Sequence, residues 1–370
     1  MRTIRGAVLD HIGTARPFTE TKPISIDQIH LEAPGPGEVL IKIGAAGVCH
    51  SDLSVVNGDR PRPTPMLLGH ESAGVVVEVG EGVALAIGQK VVMTFLPRCG
   101  ECAGCATQGK QPCVPGTAAN EAGTLLSGAI RLHRDDQPIY HHIGVSGFAT
   151  HAVVSEKSLV AIGDDVPLEI AAVFGCALLT GGGALLNVIK PRETDTLAIV
   201  GLGGVGMAAL LTAKALGVAR VVGVDANPEK LHIARELGAD DAFTPDQLIS
   251  IGERFNGVVE SAGHPKAFET AVAVTAPGGT TVTVGLPAPG SVSCIDPLKL
   301  TGEARTIVGS YLGSSVPQVD IPHYERLWRE GKLPVEKLIS DRIRLEDLNE
   351  AMDNLSDGKA IRQVILFDEE

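Results

Sequence analysis

Positive charge is scarce in this chain: 31 Lys and Arg stand against 44 Asp and Glu, a formal net charge of −13. Binding to nucleic acid or to an anionic membrane surface rests on clustered basic side chains that neutralise phosphates, so this balance speaks against both kinds of partner. No uninterrupted run of eighteen apolar residues occurs, and no membrane span is expected. The first ten residues, MRTIRGAVLD, hold an apolar run that stops at Asp10, too early for the core of a secretory signal. Internal repeats and low-complexity linkers are also missing. What is there is a 370-residue chain, 44% hydrophobic and 20% charged, too long for one ordinary core and expected to form two domains.

Cysteine is used sparingly but unevenly. Four of the seven, Cys99, Cys102, Cys105 and Cys113, fall within fifteen residues in the pattern C-x2-C-x2-C-x7-C. Four thiolates at that spacing can close around one tetrahedral zinc, a site with no open position that holds a loop and does no chemistry. Unpaired thiols at metal spacing, with no targeting segment, lead to the expectation of a reducing cytoplasm. The other three are Cys49, Cys176 and Cys294. Two thiolates, Cys49 and Cys176, with His70 from Gly69-His70-Glu71-Ser72-Ala73-Gly74 would make a three-ligand zinc site with a free fourth position. Spacing does not decide this set, because a lone cysteine is usually a small buried hydrophobe and a lone histidine usually a core hydrogen-bonder.

The texture of the chain changes near residue 178. Before it, short apolar runs at 6–9, 39–43, 74–79 and 90–93 alternate with Gly/Pro turns such as Ala33-Pro34-Gly35-Pro36-Gly37, as in a β-rich domain. After it, strands at 196–201, 220–225, 257–259 and 280–285 alternate with helices at 204–217 and from Asn227, where Pro228 and Glu229 occupy the first turn and Gly238 ends the helix. That alternation predicts an α/β fold with a doubly wound parallel sheet. The last fifty residues lose the rhythm: helices at 324–330 and 345–355 and an apolar run at 362–367 suggest a return to the first domain. Residues 117–137 read as the least regular insertion.

Gly201-Leu202-Gly203-Gly204-Val205-Gly206 matches G-x-G-x-x-G between a predicted strand and a predicted helix, and Asp225 closes the next strand nineteen residues later. The first glycine makes a tight turn, the second lets backbone approach a pyrophosphate, and the third permits close helix packing. Asp225 can accept hydrogen bonds from both ribose hydroxyls and repels a 2′-phosphate, which favours NAD over NADP.

Taken in order, Gly47-Val48-Cys49-His50-Ser51-Asp52, the Gly69-His70-Glu71 motif, the four clustered cysteines, Cys176 and the glycine turn resemble the zinc-dependent medium-chain alcohol dehydrogenases, specifically their longer-chain, liver and class III-like branch. The resemblance covers nearly the whole length. It implies a GroES-like catalytic domain over 1–177, with a structural zinc loop at about 97–115, a Rossmann NAD-binding domain over 178–318, and a return to the catalytic domain over 319–370. By the same resemblance Cys49, His70 and Cys176 are catalytic zinc ligands, Ser51 is the hydroxyl beside the substrate, Asp52 orients the His70 ring, and Glu71 is a carboxylate near the zinc. Thr180, Val205 and Val284 fall where the family touches the nicotinamide half, Lys230 where it meets the adenosine ribose, and Arg362 where it meets the pyrophosphate. The implied activity is reversible oxidation of a primary or secondary alcohol, aryl alcohols included, with hydride transfer to NAD in a homodimer.

Several positions depart from the pattern. His50 stands where some relatives carry an arginine against the pyrophosphate, and Ser54 where many carry a histidine that ends the proton relay from Ser51. Ser51 lacks the methyl of a threonine and leaves room beside the zinc. Arg60 and His142 replace apolar pocket residues beside Phe95, Ile143 and Leu286, giving a pocket of mixed polarity. Oxidation of a thiol adduct of formaldehyde is the nearest competing activity, but Val114-Pro115-Gly116-Thr117-Ala118 lacks the arginine that would hold the adduct's carboxylate. A nonenzymatic zinc- and NAD-binding regulator is the alternative from another class.

Overall fold

Three sheets carry the strands of the computed structural model, which describes residues 1–367. Two of them belong to a unit formed by Met1–Cys176 and the segment from Ile339 onward; the third belongs to a unit formed by Ala177–Leu338. The second crossing lies at 338/339, whereas the sequence suggested 318/319. Helix Pro317–Arg329 accounts for the difference: its Ile321, Tyr324 and Leu327, followed by Leu333, Val335 and Leu338, are buried apolar side chains of the second unit.

In the first unit, strands Arg2–Leu9, Ile24–Leu31, Leu132–Arg134, Gln137–His141 and Met66–Leu67 close a barrel. A second sheet runs in the order Leu159–Ala161, Lys90–Met93, Glu71–Val79, Glu38–Val48, Gln363–Leu366, Asp341–Ile343, with His151–Ser155 also paired to Glu38–Val48. The C-terminal apolar run therefore does return to the first unit. The register of this sheet fixes which side chains share its end. Gly47 lies opposite Glu71, and Val48 opposite Gln363. One residue beyond each pairing stand Cys49, His70 and Arg362, so the ladder delivers three chemically active side chains to one corner. The stretch read as irregular begins inside helix Val114–Ala122 and includes strand Leu132–Arg134, with strand Gln137–His141 beginning at its end.

In the second unit the order is Asp241–Phe243, Arg220–Val224, Thr196–Val200, Phe255–Glu260, Thr275–Thr283, Thr306–Gly309, and every neighbouring pair is parallel. Residues 197–200 are buried without alternation, as strands covered on both faces require. The expected caps are present: Asn227 Oδ1 accepts from Glu229 N at 2.9 Å, and Gly238 has a φ of +101°. Because the strands are parallel, Gly201, Asp225, Ser261 and Val284 all emerge at the carboxyl edge of the sheet, where such folds bind ligands.

The helical run Leu168–Ile189 is long and apolar enough to cross a membrane, yet 72% of its most apolar window is buried inside the protein. Its three successive glycines look like a break in sequence. They are accommodated because neighbours press on the backbone: a Cβ on Gly181 would stand 2.1 Å from Val205 O.

Candidate active site

The corner built by the sheet register holds Cys49, His70, Glu71 and Cys176, all buried, with one ligand atom of each within 4.8 Å of every other. Cys49 caps helix His50–Val56, and its N–H donates to Asp52 Oδ2 at 3.0 Å. Asp52 Oδ1 lies 3.0 Å from His70 Nδ1. One fully buried carboxylate thus sets the backbone of one candidate ligand and the ring of another, which is how outer partners aim imidazoles at metals. With Nδ1 committed to Asp52, His70 presents Nε2, a buried atom with no hydrogen-bond partner. Cys176 sits in a widened, π-helical turn, Phe174–Leu178, within the long helical run. Such turns push one side chain out of helical register and recur at functional sites.

The electrostatics of this corner favour positive charge. The hydrogen bond from Cys176 holds the Cys49 thiol well below its ordinary range, with Arg362 and His70 adding to the effect. The Cys176 thiol is pushed up by that same bond and by burial. Burial works against a charged His70, but Asp52 and Cys49 outweigh it and raise the ring well above the usual imidazole range. Burial brings the Glu71 carboxyl up to about 7. A pocket that stabilises protons on its imidazole and supplies two sulfurs and an unpartnered nitrogen fits a zinc ion, with one coordination position left over.

Glu71 is completely buried, and Gly47 makes room for it: a Cβ on Gly47 would lie 2.3 Å from Glu71 Oε1. Its counter-ion is Arg362, whose Nη1 is 3.2 Å from Glu71 Oε2 and donates to Val48 O at 3.1 Å. Arg362, which the resemblance places at the cofactor pyrophosphate, is 3% exposed, and Glu71 and the two thiols stabilise its charge. The surrounding carboxylate and sulfurs lower the cost of burying it. His50 is exposed, Ser51 is half-buried next to Cys49, and Ser54 Oγ donates to His50 O one turn back at 2.7 Å. Phe95 and His142 stand nearly perpendicular to the His70 ring, with centroids 5.7 and 5.5 Å away. Arg60 is half-buried and Ile143 8% exposed in the same unit, whereas Leu286 belongs to the other and is half-exposed.

The four clustered cysteines converge as their spacing predicts. Cys99 and Cys105 sulfurs are 3.9 Å apart and those of Cys102 and Cys113 4.0 Å apart, close to the ~3.8 Å edge of a tetrahedron with Zn–S bonds of about 2.3 Å. Backbone N–H groups of Cys105 and Val114 point at Cys102 Sγ and bring that thiol down to about 6, whereas burial sends Cys113 up to about 12. All seven cysteines are free.

The glycine turn is built for close approach. A Cβ at Gly201 would meet Ala262 N at 2.5 Å and one at Gly206 would meet Gly201 O at 1.8 Å, but one at Gly203 would meet nothing within 4 Å. The outer glycines serve the protein's own packing; the middle one faces open space at the start of helix Gly204–Ala215, as a pyrophosphate cradle requires. Asp225 Oδ2 accepts from Leu202 N at 2.7 Å and Oδ1 from Asn227 N at 2.9 Å, which ties the acidic residue to the turn. Thr180 and Val284 are each 8% exposed, and Val205 and Lys230 half-buried.

Sequence reasoning missed Glu260 and the part played by His142. Glu260 ends a parallel strand and accepts from the Ala262 and Gly263 amides at 2.9 and 2.8 Å and from Thr283 Oγ1 at 2.7 Å. A carboxylate closing an apolar strand was the available signal. His142 Nδ1 accepts from Gly69 N at 3.1 Å and lies 3.2 Å from Asp52 Oδ1. No local pattern pointed to that.

Residues 35–164 match the alcohol dehydrogenase GroES-like domain, and 204–328 match the zinc-binding dehydrogenase domain. A Mycobacterium tuberculosis protein named "Putative alcohol dehydrogenase D" is 37% identical over 361 residues, covering 94% of this chain and 98% of its own. The chain belongs to the zinc-binding medium-chain alcohol dehydrogenase family. Among solved structures, a zinc-binding alcohol dehydrogenase domain protein from Burkholderia ambifaria superposes with a TM-score of 0.92 at 32% identity, covering all of both chains. The benzyl alcohol dehydrogenase of Acinetobacter calcoaceticus superposes at 0.90 with 29% identity, again over both chains completely. This medium-chain dehydrogenase is therefore an oxidoreductase of the alcohol dehydrogenase type, with the GroES-like and Rossmann-like domains of its family.

Proposed function

We propose that this dehydrogenase holds two zinc ions per chain and oxidises primary or secondary alcohols, aryl alcohols included, reversibly with NAD. The carrying observation is the buried Cys49, His70 and Cys176 set with its unpartnered Nε2. The similarity to a benzyl alcohol dehydrogenase and the small Ser51 side chain support a site that admits an aromatic ring. When bound, zinc at this set supplies Lewis acidity and NAD on the second unit supplies the hydride acceptor. The chain's own groups do the rest. Cys49, Cys176 and His70 Nε2 hold the ion, while Asp52 keeps the His70 proton on Nδ1 so that Nε2 stays a ligand. The Ser51 hydroxyl takes the proton that the alcohol loses and passes it towards solvent. Ser54, already bonded to its own helix, can relay a proton but cannot store one near neutral pH as a histidine would. Cys99, Cys102, Cys105 and Cys113 hold the second ion, and the resemblance to dimeric relatives supports a homodimer.

Absorbance of NADH with a panel of primary, secondary and aryl alcohols tests the reading. Turnover with at least one class is expected. No turnover in either direction, with two zinc ions bound, counts against it.

The cofactor preference has its own test. Wild type should favour NAD, because Asp225 repels a 2′-phosphate, and like charges brought together cost several kcal/mol. Replacing it, Asp225→Ser, should move the ratio of kcat/KM values towards NADP by roughly 30-fold or more, about 2 kcal/mol. The same variant loses the brace on Leu202 N, so kcat/KM with NAD should fall too. Equal use of both cofactors by the wild type would refute the argument.

A further inference from the structure

We propose that His142 is a positioning residue for the metal ligand His70, acting through the Gly69 amide that its Nδ1 accepts. The inference rests on the proposed zinc site at Cys49, His70 and Cys176 and deepens it. Two nitrogens compete for one carboxylate oxygen at this point: His70 Nδ1 lies 3.0 Å from Asp52 Oδ1, and His142 Nδ1 lies 3.2 Å from the same atom. They cannot play the same role. Gly69 N–H points at His142 Nδ1 at 3.1 Å, and a buried backbone N–H requires an acceptor. His142 Nδ1 is therefore a lone pair and its ring proton sits on Nε2. His70 is then the ring that donates to Asp52 through Nδ1, and its Nε2 is the atom turned towards the two thiols. The Gly69 amide thus assigns the two rings different roles at Asp52.

The backbone makes the link short. Gly69 has a φ of +102°, a conformation in which L side chains are strained, and a Cβ there would meet Phe148 N at 2.5 Å. His70 comes next in the chain, so the tilt of the Gly69–His70 peptide decides where the imidazole points. Contacts hold Gly69 on both sides: Gly147 N donates to Gly69 O at 3.0 Å and fixes the Gly69–His70 peptide, while Gly69 N, in the Leu68–Gly69 peptide before it, donates to His142. His142 is itself fixed, its own N–H donating to Ser146 Oγ at 2.9 Å while Ser146 Oγ donates to Leu67 O at 2.9 Å. The His142 ring also stands perpendicular to the His70 ring, at 87°. Amide, ring and carboxylate together leave His70 one orientation.

Isosteric substitutions separate the acceptor from the bulk of the side chain. Asparagine places its Oδ1 close to where Nδ1 stands and keeps an acceptor for Gly69 N–H; glutamine carries its amide further out, near the Nε2 position; leucine removes the acceptor altogether. Holoenzyme of wild type, His142→Asn, His142→Gln and His142→Leu is challenged with a chelator, and zinc release is followed with a metal-sensitive dye. Wild type should release two ions in separable phases. The phase assigned to the Cys49 set, identified by its absence in Cys49→Ala, should be accelerated about 10-fold or more in the Gln and Leu variants and by less than about 3-fold in Asn, as outer-partner losses commonly weaken metal sites by 10–100-fold. The phase of the four-cysteine site serves as an internal control and should not move. If Leu does not fold, the contrast between Asn and Gln carries the test. Unchanged release in Gln and Leu, or release from Asn as fast as from Gln, overturns the role of His142. A wild type that carries only the four-cysteine ion overturns the zinc site itself, and this inference with it.

Discussion

Replacing Cys49 with alanine should lower kcat/KM for alcohol oxidation by about 10³-fold or more, since Lewis-acid stabilisation is worth several kcal/mol and each ~1.4 kcal/mol is a factor of ten. Elemental analysis of protein purified without added metal should fall from about two zinc ions per chain to about one. Cys49 is 7% exposed, so the truncation also opens a small void, and Cys49→Ser, which keeps the volume, guards against misreading a packing defect as a chemical one. The thermal midpoint should fall as well, since an ion bound only by the folded chain stabilises it. Zinc content near one in the wild type, unaltered by the substitution, would falsify the assignment. Retained activity after loss of the ion would do so as well.

The second large effect is expected at Cys113, and there the readout is stability. Cys113 is fully buried and caps helix Val114–Ala122, and its sulfur also accepts from Cys99 N at 3.3 Å. Metal binding at a closed thiolate site is folding free energy. Losing even ~3 kcal/mol of it should lower Tm by about 6–12 °C in a unit of this size. Activity should fall too, by a route visible in the contacts. Asn120, near the other end of the same helix, donates from Nδ2 to Phe95 O at 2.7 Å, and the Phe95 ring packs against His70. A lobe that unravels in Cys113→Ala should release Phe95 and raise KM for the alcohol more than it lowers kcat. Calorimetry and steady-state kinetics on the same preparation check both parts. A melting curve identical to wild type would show that the lobe folds without its ion.

Much of this protein was readable residue by residue. The C-x2-C-x2-C-x7-C spacing is local, and four sulfurs within fifteen residues can meet without help from the rest of the fold, so their convergence followed from the sequence. The glycine turn is local as well, and its outer glycines, Gly201 and Gly206, make the close contacts their positions implied. Strand and helix centres in the parallel unit were legible because covered strands are continuously apolar and their caps are short-range chemistry. Helix Leu168–Ile189 was not, since three glycines lower helix propensity and only neighbours that press on the backbone explain them. Strand Ile24–Leu31 escaped notice because Asp27, Gln28 and His30 break up its apolar positions.

By itself, then, the sequence determined which atoms are available: a local cluster of four thiols, two further thiols and an imidazole, a glycine-rich turn at a helix start, and an acidic residue at the end of the next strand. Tertiary structure alone decided which of them meet, and with which partners. Cys49, His70 and Arg362 come together because Gly47 pairs with Glu71 and Val48 with Gln363, and Cys176 joins them through a π-helical turn. Arg362 found its counter-ion in Glu71, and His142 an N–H partner in the Gly69 amide. The physical reason is the same in each case. Donor atoms and short spacings are properties of neighbouring residues, whereas the partner of a buried charge or ring is set by sheet register and by the need to pair every buried polar group, and both are satisfied only across the whole unit.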